Sequence, residues 1–342
     1  MMLNWNEIIG HEASVRILRG MLLADRMPHA LLFTGPAGIG KSLAGKLLAA
    51  GILCDGDSNR PCGFCQACIM YNRTAHPDFT LVRPDGRAIK IDQIRALQHF
   101  AALAPAVGSR RVCIIEDAEL MTVQAANSLL KLLEEPPPGF VFILVAGMAQ
   151  PLLPTILSRC QKIQFQPLAA NTLVQALIAR GYAPEAANVA ARLSGGRMGA
   201  ALGLLAPDGL LARNTAAELL DSLLDSGMEP VWDRALRLDG LETKEVVGIL
   251  GFLVYLLRDV VLIAGRYSEH LLYNSDCIPR LNGWAANWSE GQSMLAISAV
   301  KNTIRAISGN ANTRLAVEAL LINLKDLAEK EIKYVDSSRY PL

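Results

Sequence analysis

Eight consecutive residues constrain this chain more than any others. Gly35-Pro36-Ala37-Gly38-Ile39-Gly40-Lys41-Ser42 fit the spacing G-x-x-x-x-G-K-[ST] of a phosphate-binding loop. Such a loop works only between a strand and a helix. In front of it, Ala30–Thr34 (ALLFT) reads as a buried strand, and the stretch behind it, SLAGKLLAAGIL, reads as a helix. Glycine lets the backbone curl so that several N–H groups face one phosphate chain, and the helix N-terminus adds its partial positive charge. On this reading Gly35, Gly38 and Gly40 shape the loop. Lys41 reaches the β- and γ-phosphates, and the Ser42 hydroxyl ligates Mg²⁺. The bland alternative is a chance Gly-rich turn, and the flanking strand and helix argue against it.

The rest of the first half keeps the same rhythm. Strands are predicted at 30–34, 79–83, 111–116, 140–146 and 162–165, with helices at 43–53, 92–103 and 123–135 between them. Strands alternating with helices imply a mainly parallel, doubly wound sheet. Pro136-Pro137-Pro138-Gly139 ends the helix before the fourth strand. After Pro167 the strand signals vanish. A short helical block (171–180, 184–193, 198–205) leads to a turn at Pro207-Asp208-Gly209, and helices are predicted at 210–224, 244–265, 291–307 and 313–327. The organisation is therefore an α/β domain over 1–167, a small helical domain over 168–207 and an all-α domain over 208–342.

Composition excludes several classes. Hydrophobic residues make up 51% of the 342 and charged residues 19%, ample to offset the chain entropy of folding. Thirty-three basic against 32 acidic residues give a net charge of +1, so bulk charge does not hold this chain to nucleic acid. Aromatics at 6% rule out broad base-stacking platforms. The opening MMLNWNEIIGHEASV has no basic flank followed by an apolar core, which leads us to expect a cytoplasmic protein without a secretion signal. The most apolar run, VVGILGFLVYLLRDVVLIAG at 246–265, is interrupted by Arg258-Asp259. Each would cost roughly 2.5–3.5 kcal/mol in lipid. A buried helix with a capped or paired break at that point is expected, and no membrane span.

A phosphate-loop ATPase needs a carboxylate at the tip of a neighbouring strand to organise Mg²⁺ and water. Here VCII ends in Glu116-Asp117, the reverse of the Asp-Glu order that such chemistry uses. One methylene more or less at each position displaces both carboxylates enough to misplace an attacking water. Nucleotide binding survives this change; efficient hydrolysis is not expected. Solvated acids at a strand end are the competing reading.

Cys54, Cys62, Cys65 and Cys68 are spaced C-x₇-C-x₂-C-x₂-C, with turn-forming residues between them. Four thiolates on a tight loop close a tetrahedral Zn²⁺ shell with bonds of about 2.3 Å and leave no open position, so the site is structural. A redox C-x-x-C lacks its usual fold context here, and four unrelated buried cysteines are the remaining alternative. A zinc-ribbon nucleic-acid module would carry flanking basic and aromatic residues, yet only Arg60 and Phe64 are nearby. Cys113, Cys160 and Cys277 read as apolar packing residues.

Several segments together resemble bacterial DNA polymerase III clamp-loader subunits of the AAA+ superfamily. They are GPAGIGKS, the four-cysteine loop after the phosphate-loop helix, NSLLKLLEEPPPGFVFILV (127–145), LPTILSRC (153–160) and GNANTRLAVEALLINL (309–324). They follow the family's order along most of the chain. The resemblance implies an α/β AAA+ domain with an inserted zinc loop at 54–68, a helical lid and a helical collar that holds a ring of subunits together. Within the family the chain is most similar to the stator subunit rather than the motor subunits. The acid pair is Glu116-Asp117, the polar sensor at the end of FILVA is replaced by Ala146-Gly147, and a second sensor arginine falls on Gly199, with Arg197 close by. The chain also ends after the third domain, without a tau-type extension.

By the same resemblance Arg159, in Ser158-Arg159-Cys160, is an arginine finger offered to ATP on the adjacent subunit. A guanidinium supplied in trans is worth about 10³–10⁵ in rate. Implied partners are gamma/tau and delta clamp-loader subunits and, through the complex, the sliding clamp and primer-template DNA. Implied ligands are structural Zn²⁺ and, with hydrolysis doubtful, ATP with Mg²⁺. The segment Trp5–His11 resembles the adenine-side lining. The rival functional reading is an ATP-hydrolysing gamma/tau-like motor or another AAA+ remodeller, which the intact phosphate loop favours and Glu116-Asp117 and Ala146-Gly147 oppose.

Overall fold

The computed structural model describes residues 4–56, 59–147, 152–238 and 240–329. Two units divide the chain, one of Met1–Gly181 with Ser194–Ala200 and one of Tyr182–Leu193 with Ala201–Leu342.

The first unit is built on a parallel sheet. In chain order its elements are α1 (Glu12–Leu23), β1 (Ala30–Thr34), α2 (Lys41–Leu53), α3 (Gln66–Asn72), β2 (Phe79–Val82), α4 (Ile91–Ala102), β3 (Arg111–Ile115), α5 (Val123–Glu134), β4 (Phe140–Ala146), α6 (Pro154–Leu157), β5 (Gln161–Gln164) and α7 (Ala170–Ala179). The strands lie in the order β2-β3-β4-β1-β5, and every neighbouring pair is parallel. β1, β3 and β4 are buried along their whole length. A strand covered on both faces has no polar face to show, so its sequence is a continuous apolar run.

Successive side chains nevertheless part company, as the period of two demands. Leu31, Phe33, Ile114, Ile143 and Val145 join Leu18 of α1 and Leu47 and Leu48 of α2 in one core. Leu32, Cys113, Ile115, Phe142 and Leu144 join Ile94 and Leu97 of α4 and Leu129 and Leu133 of α5 in the other. α5 starts where the Thr122 hydroxyl accepts the Ala125 N–H, an N-cap worth about 1 kcal/mol, and it stops before Pro136-Pro137-Pro138. A buried ion pair anchors the other end of the sheet. Asp78 accepts from the N–H groups of Ala106 (2.7 Å) and Val107 (2.6 Å) and from Arg111 Nε (3.0 Å).

The register Thr34↔Ala146 brings the carboxyl ends of β1 and β4 level. The phosphate loop leaves β1 there, beside the point where the run β2-β3-β4 gives way to β1. Parallel α/β sheets hold ligands in the crevice that opens at such a point.

The second unit carries α8 (Pro184–Leu193), α10 (Leu211–Leu224), α11 (Glu229–Leu238), α12 (Thr243–Ala264), α13 (Ile278–Asn287), α14 (Glu290–Ser308) and α15 (Thr313–Glu329), while α9 (Met198–Leu204) begins in the segment 194–200 of the first unit. α12 is long and apolar enough to cross a membrane, but it packs Val246, Leu250, Leu253, Leu257 and Val260 into a helical core with Trp284, Trp288, Val300 and Leu321.

The expected break at Arg258-Asp259 is absent, because α12 runs through both residues. Asp259 is fully buried and is satisfied without a break. It accepts from the N–H groups of Tyr273 (3.0 Å) and Asn274 (2.8 Å), from Asn274 Nδ2 (2.8 Å) and from Arg258 Nη1 (2.8 Å). Arg258 also stacks 3.9 Å over the Tyr273 ring.

Four helices of more than one turn were not expected from the sequence: α1, α3, α11 and α13. In α11 and α13 a proline stands in the first turn, where a missing N–H costs nothing.

Candidate functional site

The loop between β1 and α2 is shaped by three glycines in the left-handed region, Gly35 (φ 142°), Gly38 (φ 78°) and Gly40 (φ 104°). A side chain at Gly35 would stand 2.3 Å from the Phe165 carbonyl, whereas the space over Gly40 is open. Lys41 opens α2 and is buried. Its Nζ donates to the carbonyls of Gly35 (2.6 Å) and Pro36 (2.7 Å), so the ammonium lies inside the curl. Burial holds the Lys41 ammonium below the usual lysine range, while Glu119 and then Asp117 pull it back up. The glycine curl, the helix N-terminus and the enclosed cation fit a phosphate group.

Two segments lean on this loop. The ring of His11 donates from Nε2 to the Ile39 carbonyl at 3.0 Å and packs edge-on against Phe165, with centroids 5.0 Å apart. Burial lowers the His11 pKa, and the Ile39 contact opposes that. Trp5 of the expected adenine-side segment is buried and donates through Nε1 to the Arg60 carbonyl (2.9 Å). From the opposite direction, the Gly199 N–H donates to the Gly38 carbonyl at 2.7 Å. A Cβ at Gly199 would lie 3.1 Å from both Gly38 Cα and its carbonyl oxygen. The contact is backbone on backbone, and glycine at 199 permits it. Arg197 does not reach over; its Nε donates to the Ser194 carbonyl (2.7 Å).

The acids at the end of β3 fall into different settings. Glu116 is paired with Arg83 (2.7 Å) and Lys46 (3.7 Å). Asp117 is exposed and left-handed, at φ 50°. Glu119, in the single 3₁₀ turn that follows, accepts the Gly147 N–H through Oε1 at 2.6 Å. Sequence reading missed Glu119 as a residue of this site, whereas His11 closes the segment expected to line the adenine side. The only local sign of Glu119 was a third acid in Glu116-Asp117-Ala118-Glu119.

The four cysteines converge. Their sulfurs all lie within 4.8 Å of one another, with Cys54 and Cys65 3.9 Å apart and Cys62 and Cys68 4.0 Å apart. A tetrahedral metal with sulfur bonds of about 2.3 Å requires edges of about 3.8 Å, so the cluster fits such an ion. Backbone N–H groups point at the sulfurs: Gly56 and Cys62 at Cys54 (both 3.3 Å), Cys65 at Cys62 and Cys68 at Cys65 (both 3.4 Å). These donors favour thiolates, the form that binds metal. Burial works against ionisation at Cys62, yet the Cys65 and Phe64 N–H groups and the neighbouring thiols bring it down to about 7. Burial raises Cys54 and Cys68. The other three cysteines lie outside the cluster. Cys113 is fully buried and Cys160 and Cys277 are half-buried.

Arg159 stands between α6 and β5, about one-third exposed. Its Nη2 pairs with Glu134 Oε1 at 2.8 Å, and its Nη1 donates to the Thr155 carbonyl (2.9 Å) and Ser158 Oγ (3.3 Å). Glu134 is the last residue of α5, so the chain itself holds the guanidinium in a defined pose.

With this geometry in hand, comparison with known proteins is informative. A family model described as "DNA polymerase III, delta subunit" matches residues 10–169. The chain is 30% identical to DNA polymerase III subunit delta' of Bacillus subtilis over 331 residues, which cover 95% of this chain and all of that one. It is 35% identical to the delta' subunit of Pseudomonas aeruginosa over 271 residues, covering 77% and 71% of the two chains. DNA polymerase III subunit gamma/tau of Mycobacterium bovis is 35% identical over 176 residues, covering 51% of this chain and 30% of that one.

Proposed function

From the premise that this chain belongs to the DNA polymerase III delta-prime subunit family, we propose that it is the stator of a bacterial replicative clamp loader. It joins gamma/tau and delta subunits in a cytoplasmic assembly that loads the sliding clamp onto primed DNA. The division into a nucleotide-binding domain to 167, a lid to 207 and a collar beyond follows from the same reading. The observation that carries it is the full-length match, which extends through the helical unit, whereas the gamma/tau match covers half of the chain.

Arg159 is the finger in this reading. It is partly exposed and carried at the edge of the sheet next to β1, and its pose is set by Glu134. A guanidinium held this way needs little ordering when a neighbour's triphosphate arrives, and it neutralises charge that develops there. The four cysteines hold Zn²⁺ as a structural staple, and Gly35, Gly38, Gly40, Lys41 and Ser42 bind ATP with Mg²⁺. When bound, the metal supplies charge neutralisation at the phosphates. The chain's own residues contribute the curled N–H groups and the Lys41 ammonium. Glu116 is held by Arg83 and Lys46, which opposes its use as the base of a hydrolytic motor.

The experiment is reconstitution with motor and delta subunits. Arg159→Ala is expected to assemble normally and to depress the ATPase of the complex. Unchanged ATPase would remove the finger role. Turnover by the isolated chain at about 1 s⁻¹ or more, lost in Lys41→Ala, would instead establish the motor reading.

A further inference from the structure

The phosphate loop carries a charge that the stator reading does not use. Glu119 stands in the 3₁₀ turn after β3, and its Oε1 is anchored by the N–H of Gly147 at 2.6 Å. Gly147 follows β4 directly, and the register Thr34↔Ala146 sets it beside Gly35, the first residue of the loop. A Cβ on Gly147 would come within 2.7 Å of Glu119 Oε1. The carboxylate therefore fills the volume that any side chain at 147 would take, at the carboxyl end of β4. An acid from the turn after the neighbouring strand β3 stands at the end of β4.

That acid is poorly compensated. Glu119 Oε2 is buried and accepts no hydrogen bond, and among the described residues Glu119 forms no ion pair. Glu116, at the same sheet edge, has both Arg83 and Lys46. Lys41 feels the charge of Glu119: the carboxylate pulls its ammonium toward the charged form, ahead of Asp117. Lys41 is also the residue that such loops direct at the terminal phosphates.

We propose that Glu119 is a charge gate on this loop, which makes it take a nucleoside diphosphate in preference to the triphosphate. The inference rests on the loop being a nucleotide site. A triphosphate brings additional negative charge to the end of the loop that Lys41 and Glu119 share. A diphosphate ends one group short of it. Like charges in a partly buried setting repel by an amount that corresponds to about a tenfold difference in affinity. The gate also offers a reason why an intact loop persists in a subunit not built for turnover: it holds a spent-type nucleotide as a fixed part.

The test is calorimetric titration of the full chain with ADP and with ATP at one fixed Mg²⁺ concentration. The wild type is expected to bind ADP about tenfold more tightly. Glu119→Gln removes the charge and is expected to raise ATP affinity about tenfold, with ADP affinity kept within about twofold. Gly147→Ala keeps the charge but pushes the carboxylate aside, so it should also narrow the preference. A wild-type preference for ATP, or equal affinities unmoved by either variant, would overturn the gate while the nucleotide reading stands. No binding of either nucleotide, by the wild type or the variants, would overturn the nucleotide reading and the gate with it.

Discussion

Replacing Cys65 by serine separates two things that this residue does. Its sulfur is one corner of the four-sulfur cluster, 3.9 Å from Cys54 Sγ. It is also the N-cap of α3, where it accepts the Cys68 N–H at 3.4 Å. Serine is among the best N-caps, so Cys65→Ser keeps the helix start and removes only the metal corner. Cys65→Ala removes both, and is expected to be the less stable of the two by about 1 kcal/mol even without metal.

The cost of losing the metal follows from the loop it closes. A bound ion would tie residue 54 to residue 68, and a cross-link across a loop of that size constrains the unfolded chain by about 3 kcal/mol. The tether matters because both of its ends border the core: Ile52, Leu53 and Tyr71 are buried there with Leu47 and Leu48. For a unit of this size about 3 kcal/mol corresponds to a melting shift of roughly 6–12 °C. The assay is metal stoichiometry by mass spectrometry under native conditions, together with thermal melts of wild type, wild type with chelator, Cys65→Ser and Cys65→Ala. The wild type should carry one zinc, and chelation should bring it to the Cys65→Ser midpoint. Hydrogen exchange should quicken over residues 54–72 first. If Cys65→Ser kept its zinc, or if wild type melted identically with and without metal, the structural role would be refuted.

Three further outcomes are expected. Lys41→Ala should abolish nucleotide binding by calorimetry while circular dichroism stays native, because the hydrogen bonds its ammonium makes among the described residues go to the loop carbonyls of Gly35 and Pro36. Asp259→Ala leaves the Tyr273 and Asn274 donors unsatisfied beside a fully buried position, and should destabilise the helical unit by about 3 kcal/mol in urea unfolding. Arg159→Lys should leave the melting point nearly unchanged, since an ion pair this exposed contributes about 0.2–1 kcal/mol. It should still lower the ATPase of the reconstituted complex, because lysine cannot span Glu134, Thr155 and a phosphate with one planar fork.

Much of this molecule can be read from local patterns, and what escapes is non-local. The strands at 30–34 and 140–146 are legible because burial on both faces leaves no choice but apolar residues. The cysteine cluster is legible because all four cysteines fall within one short stretch of chain, although Cys65 and Cys68 sit at the start of α3 rather than in a loop. α13 is hidden by Pro279, which stands in the first turn where its missing N–H costs nothing, and by Gly283, an interior glycine whose cost of about 1 kcal/mol is offset by the packing of Leu281 and Trp284. At the phosphate loop the readable part is the loop itself. Glu119 joins it through Gly147, a partner 28 residues away that only the β3–β4 pairing brings near. His11 reaches Ile39 across a similar gap. The pairing of Arg258 with Asp259 is visible in sequence, but the amides of Tyr273 and Asn274 that let the helix continue are not.

The Gly38–Gly199 contact has a mechanical consequence. Side chains between two moving parts act as cushions, since rotamers absorb small displacements before the backbone responds. Here one amide hydrogen bond of 2.7 Å joins the phosphate loop to the start of α9 with no side chain between them. Any reshaping of the loop at Gly38 is therefore transmitted to residue 199 without slack, and a pull on the first turn of α9 tugs the loop just as directly.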